Sequence, residues 1–476
     1  MNVLDWSVPY MRHFEEMSRI PHGTFDEKRY SDYLVNWAKE HELAYVQDEM
    51  NNVVIYKAGS KGYEAHEPII LQAHMDMVCA KTEDSDHDFA ADPLDIYVED
   101  GFLKARNTTL GGDDGVGVAY MLAVLEAQEL AHPPLECVFT VQEEAGCNGA
   151  AFLKKEYFNA RRMVGLDDVS GGSSYVSTAG GKLLRFSREL EWKENQFPAF
   201  ELKIDGLLSG HSGADIHKER GNAIKLAVRI LYELQKTGKV LLGEFAFGVA
   251  QNVIPANGHV QFATDINEAE LKAVVEKYTK IFQKELEFSD AGLEIELENC
   301  SLKKVMSAED SKDIISFFRF IPYGMFHHSM RFENLVVASS NVGTLLIEDG
   351  KMVSEGCHRG ALNSYIDELD DLIDMLCDAY HIEKEVTAIV PVFEYVENSP
   401  IRNILCDVFF EETGRELELE CIHGGIEAGY FKNLYPEMDI VTLGPLVLDE
   451  HMVTERLDMK SFDEIWRVLV KVLEKL

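Results

Sequence analysis

Three pairs of neighbouring acids carry the first chemical signal: Asp113-Asp114 in "TLGGDDGVG", Glu143-Glu144 in "TVQEEAGCNGA" and Asp167-Asp168 in "VGLDDVSGG". Adjacent like charges repel, so each pair is either solvated or divided between two tasks. His74 and Asp76 in "LQAHMDMV" stand two apart on a strand-like run, hence on one face. A carboxylate so placed can receive the second N–H of a metal-bound imidazole. His451 in "GPLVLDEHMVTERL" supplies a second imidazole. Singly, each group also reads as a helix cap, a solvated acid or an ordinary histidine. Jointly they fall where predicted strands stop. Histidine and carboxylates without cysteine suit zinc, cobalt or manganese. Two histidines and three carboxylates exceed what one catalytic zinc takes, but serve two ions if one carboxylate bridges. Two ions about 3.5–4 Å apart lower the pKa of a water between them. In that setting Glu144 binds metal, while Glu143 takes the proton of the water and passes it to a leaving amine.

The elements that must position these groups alternate in type. "EPIILQAHMDMV", "LECVFTVQ" and "RRMVGLDD" read as strands, and "GVGVAYMLAVLEAQEL" as a helix. Such alternation predicts a mixed, largely parallel α/β sheet with its ligands beyond the carboxyl ends of the strands. From about Leu183 the style changes. "LLRFSRELEW" and "AFELKIDGLLSGHSG" read as exposed-face strands, and "GNAIKLAVRILYELQK" as an amphipathic helix. "DSKDIISFFRF" and "LNSYIDELDDLIDMLCDAY" are further helices around the strand candidate "NLVVASSNVGTLLIE". After about Val386, "TAIVPVFEYV", a helix near "IRNILCDVFFEETG" and the strand "DIVTLGPLVL" return to the α/β style. The expected architecture is one α/β domain from residues 1–182 and 386–476, with an α+β domain, 183–385, inserted.

Composition narrows the partners. The 476 residues carry 45 Lys+Arg against 83 Asp+Glu, a net charge of −38, which repels nucleic acid and anionic membranes. The sequence has neither a signal-peptide pattern nor an apolar run of the roughly 18 residues that cross a bilayer. Its 8 cysteines lack a CxxC pair and fit reduced thiols. A cytoplasmic protein is expected, without nucleic-acid or membrane partners.

The motifs "LQAHMDMVCAK", "TLGGDDGVG", "QEEAGCNGA", "SGHSGADIH", "NVIPA", "HGGIEAG" and "GPLVLDEH" occur in an order that spans nearly the whole chain. On these the sequence resembles the dinuclear zinc peptidase family that includes carboxypeptidase G, tripeptide aminopeptidase and the aminoacylases. Within it the likeness is to the bacterial aminoacyl-histidine, or cytosolic non-specific, dipeptidases. The resemblance implies a catalytic domain of zinc-exopeptidase type with an inserted lid that supplies substrate contacts. It implies His74, Asp113, Glu144, Asp167 and His451 as ligands of two divalent ions, with Asp113 bridging. The ions would be zinc, with manganese or cobalt as substitutes. Asp167 is chosen over Asp168 by its spacing to the Ala-Gly-Gly at 179–181. Asp76 and Glu143 are implied to be catalytic. His211 matches a histidine expected to stabilise the oxyanion, and Arg359, with Asn252, an arginine site for the substrate carboxylate. His423 and Glu427 would line the amino-terminal end of the substrate. The implied reaction is hydrolysis of dipeptides, Xaa-His among them, by a homodimer. An aminoacylase or tripeptide aminopeptidase on the same metals is the alternative, and a catalytically silent metal-dependent interaction protein the remote one. The chain departs from the family pattern at "MVTERL" after His451, where Ser-Pro-Asp-Glu is usual, and at Leu208-Ser209, where a second glycine is common.

Overall fold

A computed structural model describes every residue except Met1 and Asn334. The chain forms two compact units: Met1–Ser177, Phe393–Cys421 and Ile426–Leu476 make the first, and Thr178–Val392 with Ile422–Gly425 the second.

The first unit is built on a mixed six-stranded sheet in the order Ala44–Gln47, Val53–Lys57, Leu135–Thr140, Ile69–His74, Arg162–Gly165, Asp439–Thr442. The first three of these strands pair antiparallel and the last four parallel. Leu135–Thr140 and Ile69–His74 are buried along their whole length, as strands covered on both faces must be. Alternation sorts their side chains into two cores. Ile69, Leu71, Ala73, Cys137 and Phe139 join the core that includes the helices Gly112–Glu126 and Met459–Lys475. Ile70, Val138 and Met163 join the opposite one, with Ala428 and Phe431. A separate four-stranded antiparallel sheet holds Val447–Leu448, Arg456–Asp458, Phe102–Ala105 and Ile96–Glu99.

The second unit carries, among the described residues, a ten-stranded sheet whose described pairings are antiparallel. Its apolar face packs on the helices Ala223–Leu234, Glu268–Glu285, Ala308–Phe320 and Asn363–Tyr380. The stretch expected as one strand from Asn334, itself outside the described residues, is two: Val336–Val342 and Leu345–Glu348. The break falls at Gly343-Thr344, whose amides both donate to the Glu355 carbonyl. Glu383–Val390, which straddles the boundary expected at 385–386, pairs with Gly180–Glu189 in this antiparallel sheet.

Candidate metal centre

Three parallel strands end on the same edge of the first unit's sheet, and each delivers part of the site. His74 is the last residue of Ile69–His74. Glu143 and Glu144 follow Leu135–Thr140, and Asp167 follows Arg162–Gly165. The two glutamates lie past the strand, in a turn where Gly146 and Cys147 both donate N–H to the Glu143 carbonyl at 2.8 Å. The turn, and not strand alternation, separates their carboxylates.

Asp113 comes from the opening residues of the helix Gly112–Glu126. Asp113 and Asp114 are non-helical in backbone and joined by a cis peptide bond. Asp114 acts as the cap: its Oδ1 accepts Gly117 N–H at 3.0 Å, and Oδ2 accepts His74 N–H at 3.3 Å. Asp113 is thereby left facing the site. Its Oδ1 lies 3.0 Å from His74 Nε2 and its Oδ2 3.2 Å from His451 Nε2. His451 belongs to no strand of the main sheet. It sits at φ +63° in the connection between Val447–Leu448 and Arg456–Asp458 of the small sheet, and its Nε2 is 2.9 Å from Glu144 Oε1.

Asp76 anchors its neighbours. Its carboxylate accepts the N–H groups of Glu143 at 3.0 Å and Glu144 at 3.3 Å, and the Thr24 hydroxyl at 3.0 Å. The nearer acceptor for His74 Nδ1 is the Asp76 main-chain carbonyl at 3.0 Å; the carboxylate stands at 3.6 Å. A proton held on Nδ1 frees Nε2 for a cation. Asp168 is fully engaged elsewhere. Oδ1 accepts Ser170 Oγ–H at 2.6 Å and Oδ2 accepts Thr442 Oγ–H at 2.9 Å. Asp167 instead faces the cluster, with Oδ1 4.0 Å from His74 Nε2.

The electrostatics call for positive charge. Burial pushes Asp167 and Asp114 well above the usual carboxylate range, with Asp113 adding to both, and burial likewise raises Glu143. Asp113 is the exception: burial opposes its charge, but hydrogen bonds from His451 and His74 hold it well below the usual range. Hydrogen bonds to Asp113 and Glu144 raise His451 to about 10. Acids outnumber the imidazoles that can pair with them, and buried Glu144 Oε1 faces only the His451 ring, at 2.9 Å. His74, Asp113 and Glu144 offer ligand atoms within 4.8 Å of one another, as do His74, Asp114 and Asp167. The donor set therefore fits divalent cations. Sequence reading missed Asp114 as a cluster member because the cap and the ligand share one dipeptide.

Glu427 is 1% exposed. Its Oε2 accepts Gln72 Nε2–H at 2.5 Å and Thr140 Oγ–H at 2.6 Å, and burial raises it to about 8. It ties two of the site strands together beneath the cluster, a position that presents no surface to a substrate. The other expected substrate residues lie in the second unit. His211 Nδ1 accepts N–H from Gly213 at 3.3 Å and Ala214 at 3.1 Å, which puts the ring proton on Nε2. Burial and the Arg359 charge hold His211 below its ordinary pKa and take His423 down to about 3. His423 Nε2 is 2.7 Å from Ser339 Oγ, a partner sequence reading did not find. Arg359 Nε has no hydrogen-bond partner, and Asn252 is exposed. Arg359, His211 and His423 thus interact as one group, in which Arg359 carries the charge and the two imidazoles are kept neutral.

Imidazole and carboxylate donors at the carboxyl edge of a mixed sheet define a site of the kind that metal-dependent enzymes use. The chain belongs to peptidase family M20/M25/M40, whose profile matches residues 70–475, and is a metallopeptidase. It is 32% identical over 469 residues to the cytosol non-specific dipeptidase of Escherichia coli (strain K12), covering 97% of this chain and 96% of that protein. The crystal structure of aminoacylhistidine dipeptidase from Vibrio alginolyticus superposes with a TM-score of 0.89 at 30% identity, over 98% of this chain and 96% of that one. A metallo-carboxypeptidase of the family from Sulfolobus solfataricus, at 14% identity and TM-score 0.53 over 98% of each chain, shares the fold.

Proposed function

We propose that the chain hydrolyses dipeptides, Xaa-His among them, at a site for two divalent ions. The observation that carries this reading is Asp113, whose two oxygens face two different imidazoles at 3.0 and 3.2 Å. His74, Asp167 and Asp113 would hold one ion, and His451, Glu144 and the shared Asp113 the other. Bound zinc, or manganese or cobalt in its place, would supply water activation near neutral pH and charge stabilisation at the scissile carbonyl.

The remaining roles fall to this chain's own groups. Glu143, raised by burial, is the base that takes the proton of the attacking water and delivers it to the departing amine. Asp76 fixes the Glu143-Glu144 turn through both amides and keeps the His74 ring oriented. In the second unit His211 would donate from Nε2–H to the carbonyl oxygen as it gains charge. Arg359, with Asn252, would take the substrate carboxylate, for which an arginine fork is suited. Neutral His423 supports that group from Ser339. A dipeptide substrate and a cytosolic compartment are supported by the name of the Escherichia coli relative.

The test is a panel of dipeptides, tripeptides and N-acyl amino acids, assayed on metal-free protein reconstituted with zinc, manganese or cobalt. Turnover of Xaa-His and other dipeptides, without release from longer peptides, is expected. Faster turnover of tripeptides or N-acyl amino acids transfers the assignment to a tripeptide aminopeptidase or an aminoacylase.

A further inference from the structure

We propose that Glu455 is a positioning residue that ties the Asp113 loop to the His451 connection and thereby builds one of the two metal sites selectively. The proposal rests on the dinuclear reading above. Glu455 stands at the base of the connection that carries His451, and it is 4% exposed. Its Oε1 accepts Gly112 N–H at 2.8 Å, while Oε2 accepts Leu110 N–H at 2.7 Å and Gly111 N–H at 3.2 Å. Successive amides converging on one anion form a cradle, and here the anion comes from the chain itself. All three partners donate and none accepts, so the ionised carboxylate is the form that fits. The cradle needs Gly111, at φ +68° and ψ 35°, a left-handed conformation that other residues enter at a cost. Asp113 follows two residues later.

Selectivity comes from how the two halves of the site are anchored. His74 and Asp167 hang from neighbouring parallel strands, whose ladder fixes them without help. His451 sits on a short connection, with its side chain 46% exposed. Among the described residues, the hydrogen bonds from that connection to residues 110–112 all come from Glu455. Removing them frees the connection that carries His451, while His74 and Asp167 stay on the sheet and the Asp113-Asp114 pair stays held to it through the His74 N–H that Asp114 accepts. An amide in place of the carboxylate turns an N–H₂ toward backbone donors and leaves a buried N–H unpaired.

The test is zinc binding alone, with no substrate. Metal-free wild type, Glu455→Gln and Glu455→Asp are titrated with zinc against a metallochromic competitor. Glu136→Gln is the control, because Glu136 is a buried acid that accepts Asn159 N–H at 2.9 Å and Ala160 N–H at 3.2 Å away from the centre. Two ions are expected in wild type and in Glu136→Gln. Both Glu455 variants should keep one ion at wild-type affinity and bind the second about 10–100-fold more weakly. The proposal is overturned if Glu455→Gln binds both ions as wild type does, if both affinities fall together, or if Glu136→Gln shows the same loss. Unfolding of both Glu455 variants, read by circular dichroism, would make the residue merely structural and overturn it too. Wild type that takes only one ion overturns the dinuclear reading itself.

Discussion

Glu143 and Glu144 share a turn and a partner, Asp76, yet their carboxylates meet different neighbours. Glu143 Oε1 accepts from the Cys147 thiol at 3.3 Å, whereas Glu144 Oε1 lies 2.9 Å from His451. Glu143→Gln preserves shape but cannot take a proton, so kcat should fall about 10²–10⁴-fold while bound metal is unchanged. Glu144→Gln should instead lose metal, and added zinc should restore part of its activity. Following turnover and bound ions together in both variants checks the pair; the opposite pattern reverses the roles. Asp113 faces both imidazoles, so Asp113→Ala should release more metal than any other single change, as metal analysis after gel filtration would report. Arg359→Ala should raise KM for dipeptides and lower kcat, because losing the carboxylate contact weakens both binding and the orientation of the scissile bond. Kinetics like wild type would remove Arg359 from the substrate set.

At the scale of elements, the site depends on how closely one helix approaches the sheet. At Gly117 an added Cβ would stand 2.9 Å from Ala73 Cβ, 2.7 Å from Leu166 Cβ and 2.5 Å from Asp114 Oδ1. Gly117→Ala should therefore cost about 1–3 kcal/mol in a denaturant melt. It should also weaken zinc binding, since the same helix carries Asp113 at its start. The mixed sheet was legible because burial on both faces leaves continuous apolar runs such as "LECVFT", and because acids crowd where those runs stop. His451 was legible as a residue but not in its placement, because its strands are two and three residues long and pair in another sheet. The turn after Thr140 was hidden because Gln142 and Cys147 adopt positive φ without being glycine. Asp167 and Asp168 differ only in what their side chains meet, and Thr442, which holds Asp168, is 274 residues away. Glu455 lies beyond local reading for the same reason: its partner Leu110 is 345 residues distant.

At the scale of the whole molecule, a net charge of −38 and a buried cluster of acids make the metal-free protein carry uncompensated repulsion. Chelation should lower the melting temperature. Zinc at 100 times its Kd should restore about 2.7 kcal/mol per site, visible as a concentration-dependent rise in Tm. The pH response of the metal-free protein has a defined sign. Glu427 is raised from an ordinary 4.5 to about 8, so between those values the folded state holds a proton that the unfolded state has released. Stability must then fall as pH rises through that window. Melts from pH 5 to 8.5 should show a smaller loss in Glu427→Gln than in wild type; equal slopes would mean that Glu427 does not hold the proton. The first unit is also assembled from separated stretches of chain, with His74, Asp113, Glu144 and Asp167 before the second unit in sequence and His451 after it. Synthesis on the ribosome runs in that order. A nascent chain can complete the His74 side of the centre long before the His451 side exists, so metal loading in the cell should proceed in two stages. Chains stalled ahead of residue 451 should capture a single ion and stay inactive until translation resumes.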